Sequence, residues 1–372
     1  MSKKAVIIGA GALALGFLGE RLALDYEITF ADKNIKTPFL KELQNQQQYI
    51  LNICHLDGIE SVSIQGRFNV FNLDQEKEKN DFYKVITEAD LIFTTVGNQN
   101  LPIVISQIAP ILNEQMRGNC ILLCENGRNL AQIYQKFFKA SKVVDTVMSR
   151  MCRFTTQEES GYGYKPLWKN LPDRLVVEAY DYLPLNVAAC SSEQFSPVFT
   201  LIEPDIFSTW EDIKFFAHNG THAFIAYHAF LDGIKYFSDV DHKLKEKAEK
   251  MLFNEIIPAL HRAHPDFPLR DLKDYGENLL ERIYNPFFHD SIDRGIRGIL
   301  EKLKPSERLV NGLRFIHHQG IKPVHFASAI LAGYKIISKL ELLPETIKDF
   351  LINHCGIIEE ELIQLIMGNP EI

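Results

Sequence analysis

Hydrophobic and polar positions alternate in blocks along the first half of the chain. "KAVIIG" (residues 4–9) is an unbroken apolar run, as a strand covered on both faces requires. A glycine-rich turn follows, then "ALGFLGERLAL" with helical character, then a second run, "YEITFAD", ending on Asp32. After the polar stretch "LKELQNQQQYI", strands are expected at "SVSI" and "FNVFNL", with "DQEKEKND" a solvated turn. "DFYKVITEA" reads as helix, "DLIFTTVGNQNLP" as a buried strand entering a loop, "LPIVISQIAPILNEQ" as helix and "NCILLCENG" as another buried strand. Alternating β and α of this kind predicts a doubly wound parallel sheet of Rossmann type. "RLVVEAYDYLPLNVAAC" reads as the last extended segment of this first domain. From about Phe199 the pattern turns helical, broken by Pro, Gly and Asp. The fold class is therefore α/β plus all-α, with domains expected over 1–198 and 199–372.

The opening has a rival reading. Lys3 and Lys4 before an apolar run also resemble an export signal. That reading gives no reason for a second strand ending in an acid. Gly9, Gly11 and Ala14 instead fall in the spacing G-x-G-x-x-G/A. The first position permits a tight bend, the second lets backbone approach a pyrophosphate, and the third lets helix pack on strand. The helix N-terminus favours the anion. Asp32, 21 residues past Gly11, suits a ribose 2′-hydroxyl and repels a 2′-phosphate, so NAD is the expected cofactor. Ligands of such sheets sit beyond the carboxyl ends of the strands, which places Val96, Gly97, Asn98, Glu125 and Asn126 along a cofactor cleft. Asn98 and Asn126 are equally at home as plain turn residues.

Composition narrows the field further. At 372 residues two domains are expected, and 46% hydrophobic with 24% charged residues is ordinary globular composition. A net charge of −8 argues against a nucleic-acid partner and against anionic membranes. No apolar run is long enough to span a bilayer. Six scattered cysteines, none in a C-x-x-C pair, suggest neither a disulfide framework nor zinc and fit a reducing cytoplasm. Oligomeric state is not encoded in any of these features.

The sharpest chemistry lies in "DIKFFAHNGTHAFIAYHAF". Lys214, Asn219 and His222 stand at i, i+5 and i+8, within about a 140° arc of an α-helix. The rest of this helix is apolar and aromatic, so polar groups on it need partners or a ligand. Gly220 in a helix interior costs about 1 kcal/mol against Ala and implies a close neighbour. A lysine in an apolar cleft can serve as general base, while Asn and His can donate to a reacting oxygen. The set suits oxidation of a secondary alcohol. His218 and His222, at i and i+4, also have zinc spacing, but H-E-x-x-H and an evident third ligand are missing, and no metal is expected.

These residues resemble a known family. K-x-x-x-x-N-x-x-H in a helical domain behind a Rossmann domain is the signature of the polyol-specific long-chain dehydrogenases, the mannitol dehydrogenase family. "GAGALALGFLG", "TFAD", "TTVGNQNL", "CEN", "KFFAHNGTHAFIAY" and "RIYNPFF…DRGIRGILEKLKPSERL" carry the resemblance, which is strongest to its short, mannitol-phosphate branch. The resemblance implies metal-independent, NAD-linked interconversion of a sugar alcohol and a ketose, such as mannitol 1-phosphate and fructose 6-phosphate. It makes Lys214 the base, with Asn219 and His222 holding the reacting oxygen. Two stretches depart from the family pattern. Ala14 and Leu15 stand where Gly and Arg are common, and "VMSRMCR" keeps Arg150 but lacks the acid and proline usual around it. A phosphate would want an arginine fork, for which Arg150, Arg294, Arg297 and Arg308 are candidates. A hexuronate carboxylate would use similar groups, so a hexuronate reductase of the same family is an alternative. A catalytically idle NAD-binding redox sensor is another, though it leaves Lys214, Asn219 and His222 without a task.

Overall fold

The computed structural model describes residues 3–33, 36–156, 161–186, 199–342 and 346–369. The chain divides into two compact units, Met1–Phe207 and Ser208–Ile372. The first unit thus runs past the expected 198, because Thr200–Ile202 pairs in parallel with Pro184–Asn186. The end of the expected last extended segment, 187–190, lies outside the described residues.

In the first unit, strands β1 (Lys3–Ile8), β2 (Tyr26–Asp32), β3 (Gln48–Cys54), β4 (Ile59–Gln65), β5 (Arg67–Asn72), β6 (Leu91–Thr94), β7 (Cys120–Leu123) and β8 (Lys142–Asp145) follow in chain order. Six form one parallel sheet in the order β5-β2-β1-β6-β7-β8. Chain order reverses direction at β1, so the carboxyl ends of β1 and β6 flank the switch point where doubly wound sheets bind ligands. Side chains of β1 alternate between two cores, with Ala5 and Ile7 on one face and Val6 and Ile8 on the other. Both faces are covered, which is why the strand is apolar throughout.

One covering layer has no counterpart in the expected pattern. With β9 (Cys152–Thr155) and β10 (Arg174–Glu178), a second sheet runs β4-β3-β10-β9. The run "RLVVE" is extended and lies in this second sheet of the first unit, and β3 starts within the polar stretch "LKELQNQQQYI". This layer shapes the helical segment after the glycine turn. A Cβ at Gly16 would stand 2.6 Å from Val177, and one at Gly19 would strike the Tyr49 hydroxyl. Tyr49 in turn donates to the Leu15 carbonyl at 2.7 Å. The small residues of "ALGFLG" are thus dictated by close approach to the second sheet.

The second unit is helical, with its longest helices at Asn219–Leu231, Leu269–Ile283, Arg308–His318 and Val324–Lys339. Phe216 stacks on Phe315 at 4.4 Å. Gly220 and Gly312 both make room for the Phe326 ring, which would lie 2.8 and 2.5 Å from their added Cβ atoms. The close neighbour implied by Gly220 is therefore an aromatic ring of the core. No helix of the described residues is long and apolar enough to cross a membrane.

Candidate active site

The first unit carries a cleft of about 370 Å³ at the carboxyl ends of β1, β2 and β6. Gly9, Gly11, Asp32, Lys33, Lys79 and Val96 are among its lining residues. Gly9 has φ +101°, and a Cβ there would be 2.6 Å from the Thr95 carbonyl oxygen, so conformation and space both demand glycine. Gly11 faces open space instead: a Cβ would meet nothing within 4 Å. Ala14 is fully buried in the helix behind. Asp32 accepts the Ala10 N–H at 2.7 Å and the Lys33 N–H at 2.8 Å, which fixes its carboxylate against the glycine turn.

The loops after β6 and β7 meet at the adjoining edge. Glu125 is buried, and takes the Thr94 hydroxyl at 2.7 Å and the Val96 N–H at 2.9 Å. Burial pushes its carboxyl up to about 7 against the pull of those two bonds. Gly97 turns the chain at φ +81°, and Asn98 donates to the Asn126 carbonyl at 2.8 Å. Glu125 thus ties the two loops together from beneath, while Gly97, Asn98 and Asn126 are exposed.

In the second unit, residues 213–218 form a π-type turn, closed by the Asn219 N–H on the Lys214 carbonyl. One extra residue in the turn sets everything beyond it back by about 100°. Lys214, Asn219 and His222, spread over about 140° on a regular helix, therefore gather within about 60°. Across 212–229 these three are the residues that are not buried. His218 is buried and bonds the Tyr275 hydroxyl through Nδ1 at 3.4 Å. Burial, with the nearby Lys214 and Arg282 charges, holds His218 well below the usual imidazole range. No group of three or more metal-ligating side chains occurs among the described residues.

His222 leads to a charged assembly. Its Nε2 lies 3.2 Å from Asp290 Oδ2, and Arg294 grips the same carboxylate through Nε and Nη2, each at 2.6 Å. Burial raises the Asp290 carboxyl, but Arg294 and His222 outweigh it and leave it far below the ordinary value. Burial also lowers His222, against the opposing pull of Asp290. Beyond Arg294, Lys302 donates to the Gly295 carbonyl at 2.7 Å. Its amine is pushed down to about 8, first by burial and then by Arg308, Arg294 and Arg297, with Glu307 opposing. Arg308 pairs with Glu307 at 3.1 Å, its Nε is buried without a hydrogen bond, and Arg297 is exposed. Arg294, Arg297 and Arg308 thus gather around Lys302.

Arg150 does not join them. It is 2% exposed, ion-paired with Glu20, bonded to the Glu178 carbonyl at 2.8 Å, and set over the Phe17 ring. Its donors serve the junction of the first helical segment with the second sheet, which is not the open fork that anion binding needs. Asp290 and Lys302 had no motif to announce them. The i, i+4 spacing of Asp290 and Arg294 was the one readable hint of their pairing.

Two family models match the chain: the mannitol dehydrogenase Rossmann domain over residues 3–151 and the mannitol dehydrogenase C-terminal domain over 207–352. The chain belongs to the mannitol dehydrogenase family. Among its relatives, the mannitol-1-phosphate 5-dehydrogenase of Thermoanaerobacter pseudethanolicus is 27% identical over 89% of this chain and 85% of its own. The same-named protein of Aspergillus niger is 25% identical over 87% and 83%. Two solved structures of polyol dehydrogenases share the fold at low identity. One is a substrate-free D-sorbitol dehydrogenase, with TM-score 0.75, 13% identity and coverage of 99% of this chain and 92% of that one. The other is the Pseudomonas fluorescens mannitol 2-dehydrogenase ternary complex with NAD and D-mannitol, with TM-score 0.71, 14% identity, and 100% and 89% coverage. The residues of the second unit discussed above, from Asp212 to Lys339, all fall inside the C-terminal match.

Proposed function

We propose that this family member catalyses the NAD-linked interconversion of a polyol phosphate and its ketose phosphate, with mannitol 1-phosphate and fructose 6-phosphate as the pair. The observation that carries the reading is the line formed by Lys214, Asn219 and His222, the accessible positions on an otherwise buried stretch. A buried apolar helix that exposes a base, an amide and an imidazole on one flank is built to handle a polar reacting group. The relatives named for mannitol 1-phosphate support the choice of substrate.

The cleft suits the cofactor. Gly11 leaves open space for a pyrophosphate, and Asp32 stands beside the glycine turn where a ribose hydroxyl would be received. Gly9, Ala14, Val96, Gly97, Asn98 and Asn126 complete the proposed binding set, with Glu125 holding two of its loops. When bound, the nicotinamide supplies the redox step by exchanging hydride with the carbinol carbon. In the direction of oxidation, Lys214 takes the hydroxyl proton as general base. The Asn219 amide donates to the oxygen as charge develops on it. Lys302, Arg308, Arg297 and Arg294 receive the phosphate, and Arg150 is left out of the substrate set.

Absorbance at 340 nm tests the proposal, with NADH offered together with fructose 6-phosphate, fructose, tagaturonate or fructuronate. Oxidation of NADH with fructose 6-phosphate is expected. Turnover of a uronate in its place makes the protein a hexuronate reductase, using the same cations for a carboxylate. Tight NADH binding without turnover of any of the four leaves the idle sensor.

A further inference from the structure

Asp290 touches both His222 and Arg294 of the cation cluster, and its setting is closely determined. Its side chain is 2% exposed. The preceding residue, His289, holds the left-handed region at φ +46°, uncommon for a residue with a side chain. Its ring stacks on Tyr236 at 3.6 Å, and the Asp290 carbonyl takes the Phe237 N–H at 3.0 Å. The backbone turn is thus clamped on both sides, and it aims the carboxylate back at the helix bearing His222.

That geometry constrains a proton. A carboxylate gripped by a guanidinium through two bonds is an acceptor only. The His222 nitrogen facing it, Nε2, must therefore carry the hydrogen. A neutral imidazole has one N–H, so Nδ1 is left bare, and among the described residues no hydrogen bond occupies it. We propose that Asp290 is a positioning residue that locks His222 in the Nε2–H tautomer, so that His222 meets the substrate as a hydrogen-bond acceptor for a hydroxyl. Donation to the carbonyl oxygen then falls to Asn219 alone. The inference rests on the proposed function in placing His222 at the substrate.

Two-bond proton–nitrogen NMR spectra of histidine-labelled protein at pH 7.5 read the tautomer without substrate, with His222→Gln identifying the ring. An unprotonated Nδ1 beside a protonated Nε2 is expected. A protonated Nδ1, in either the other tautomer or the imidazolium, overturns the proposal. Asp290→Asn, which can turn its amide toward Nε2 and reverse the tautomer, should lower kcat on the order of a hundredfold while NADH affinity stays constant. Wild-type kcat in a folded Asp290→Asn protein also overturns it. If the expected tautomer is found in a protein that turns over none of the four substrates, the proposed function fails and the tautomer assignment stands.

Discussion

Replacing Lys302 with methionine should weaken the enzyme and strengthen the fold. The amine falls from 10.5 to about 8, which corresponds to about 3 kcal/mol spent in keeping it charged in the native state. That cost is present in full below pH 8 and fades as pH rises toward 10.5, where the unfolded chain also loses the proton. Methionine removes the charge and fills similar space, but leaves the Gly295 carbonyl without its donor, a loss of about 1 kcal/mol. The balance is a gain of about 1–2 kcal/mol at pH 7, or a rise of about 2–8 °C in Tm for a unit of this size. On the functional side, the proposed function has one charge-assisted bond to phosphate lost, worth about 1.5–3 kcal/mol, so KM for fructose 6-phosphate should rise about 10–150-fold. Activity with any unphosphorylated ketose should be unchanged. Thermal unfolding and 340 nm kinetics measure both sides on the same preparations. A lower Tm together with an unchanged KM would make Lys302 scaffold and refute the reasoning.

Other consequences can be checked as directly. Lys214→Met should lower kcat by about 10²–10⁴ while fluorescence titration shows NADH affinity intact, because the proposed base and the proposed dinucleotide cleft lie in different units. Gly9→Ala should destabilise by about 2–4 kcal/mol in chemical unfolding, through the φ of +101° and the Thr95 carbonyl 2.6 Å from the new Cβ. Glu125, raised by burial to about 7, favours the native state below pH 4.5 and loses that contribution as pH climbs through 7. The wild type should therefore lose up to about 3 kcal/mol relative to Glu125→Gln between those limits, seen as a pH-dependent gap between their unfolding midpoints.

The fold of the first unit is legible in the sequence because its signals are local. Gly9 and Asp32 are a turn and a strand end, fixed by spacing within one β-α-β stretch. Strand β3 was hidden because "QNQQQYI" is polar at its start, and because strand identity there comes from pairing with β4 and β10. Long-range partners explain the other omissions. Asp290 is named by His222, 68 positions earlier, and Lys302 by the basic side chains folded around it. Arg150 shows the converse, since a lone arginine in a suggestive stretch cannot reveal that Glu20 has already claimed it.

The extra residue in the turn at 213–218 has a practical meaning for anyone who would move this chemistry elsewhere. Copied letter for letter onto an ordinary helix, the three residues would splay around the barrel of the host. A graft that reproduces the native fan would need them at i, i+4 and i+7. Equally, deleting one residue between Lys214 and Asn219 here gives that same spacing, and should leave a regular helix that still carries the three residues on one flank.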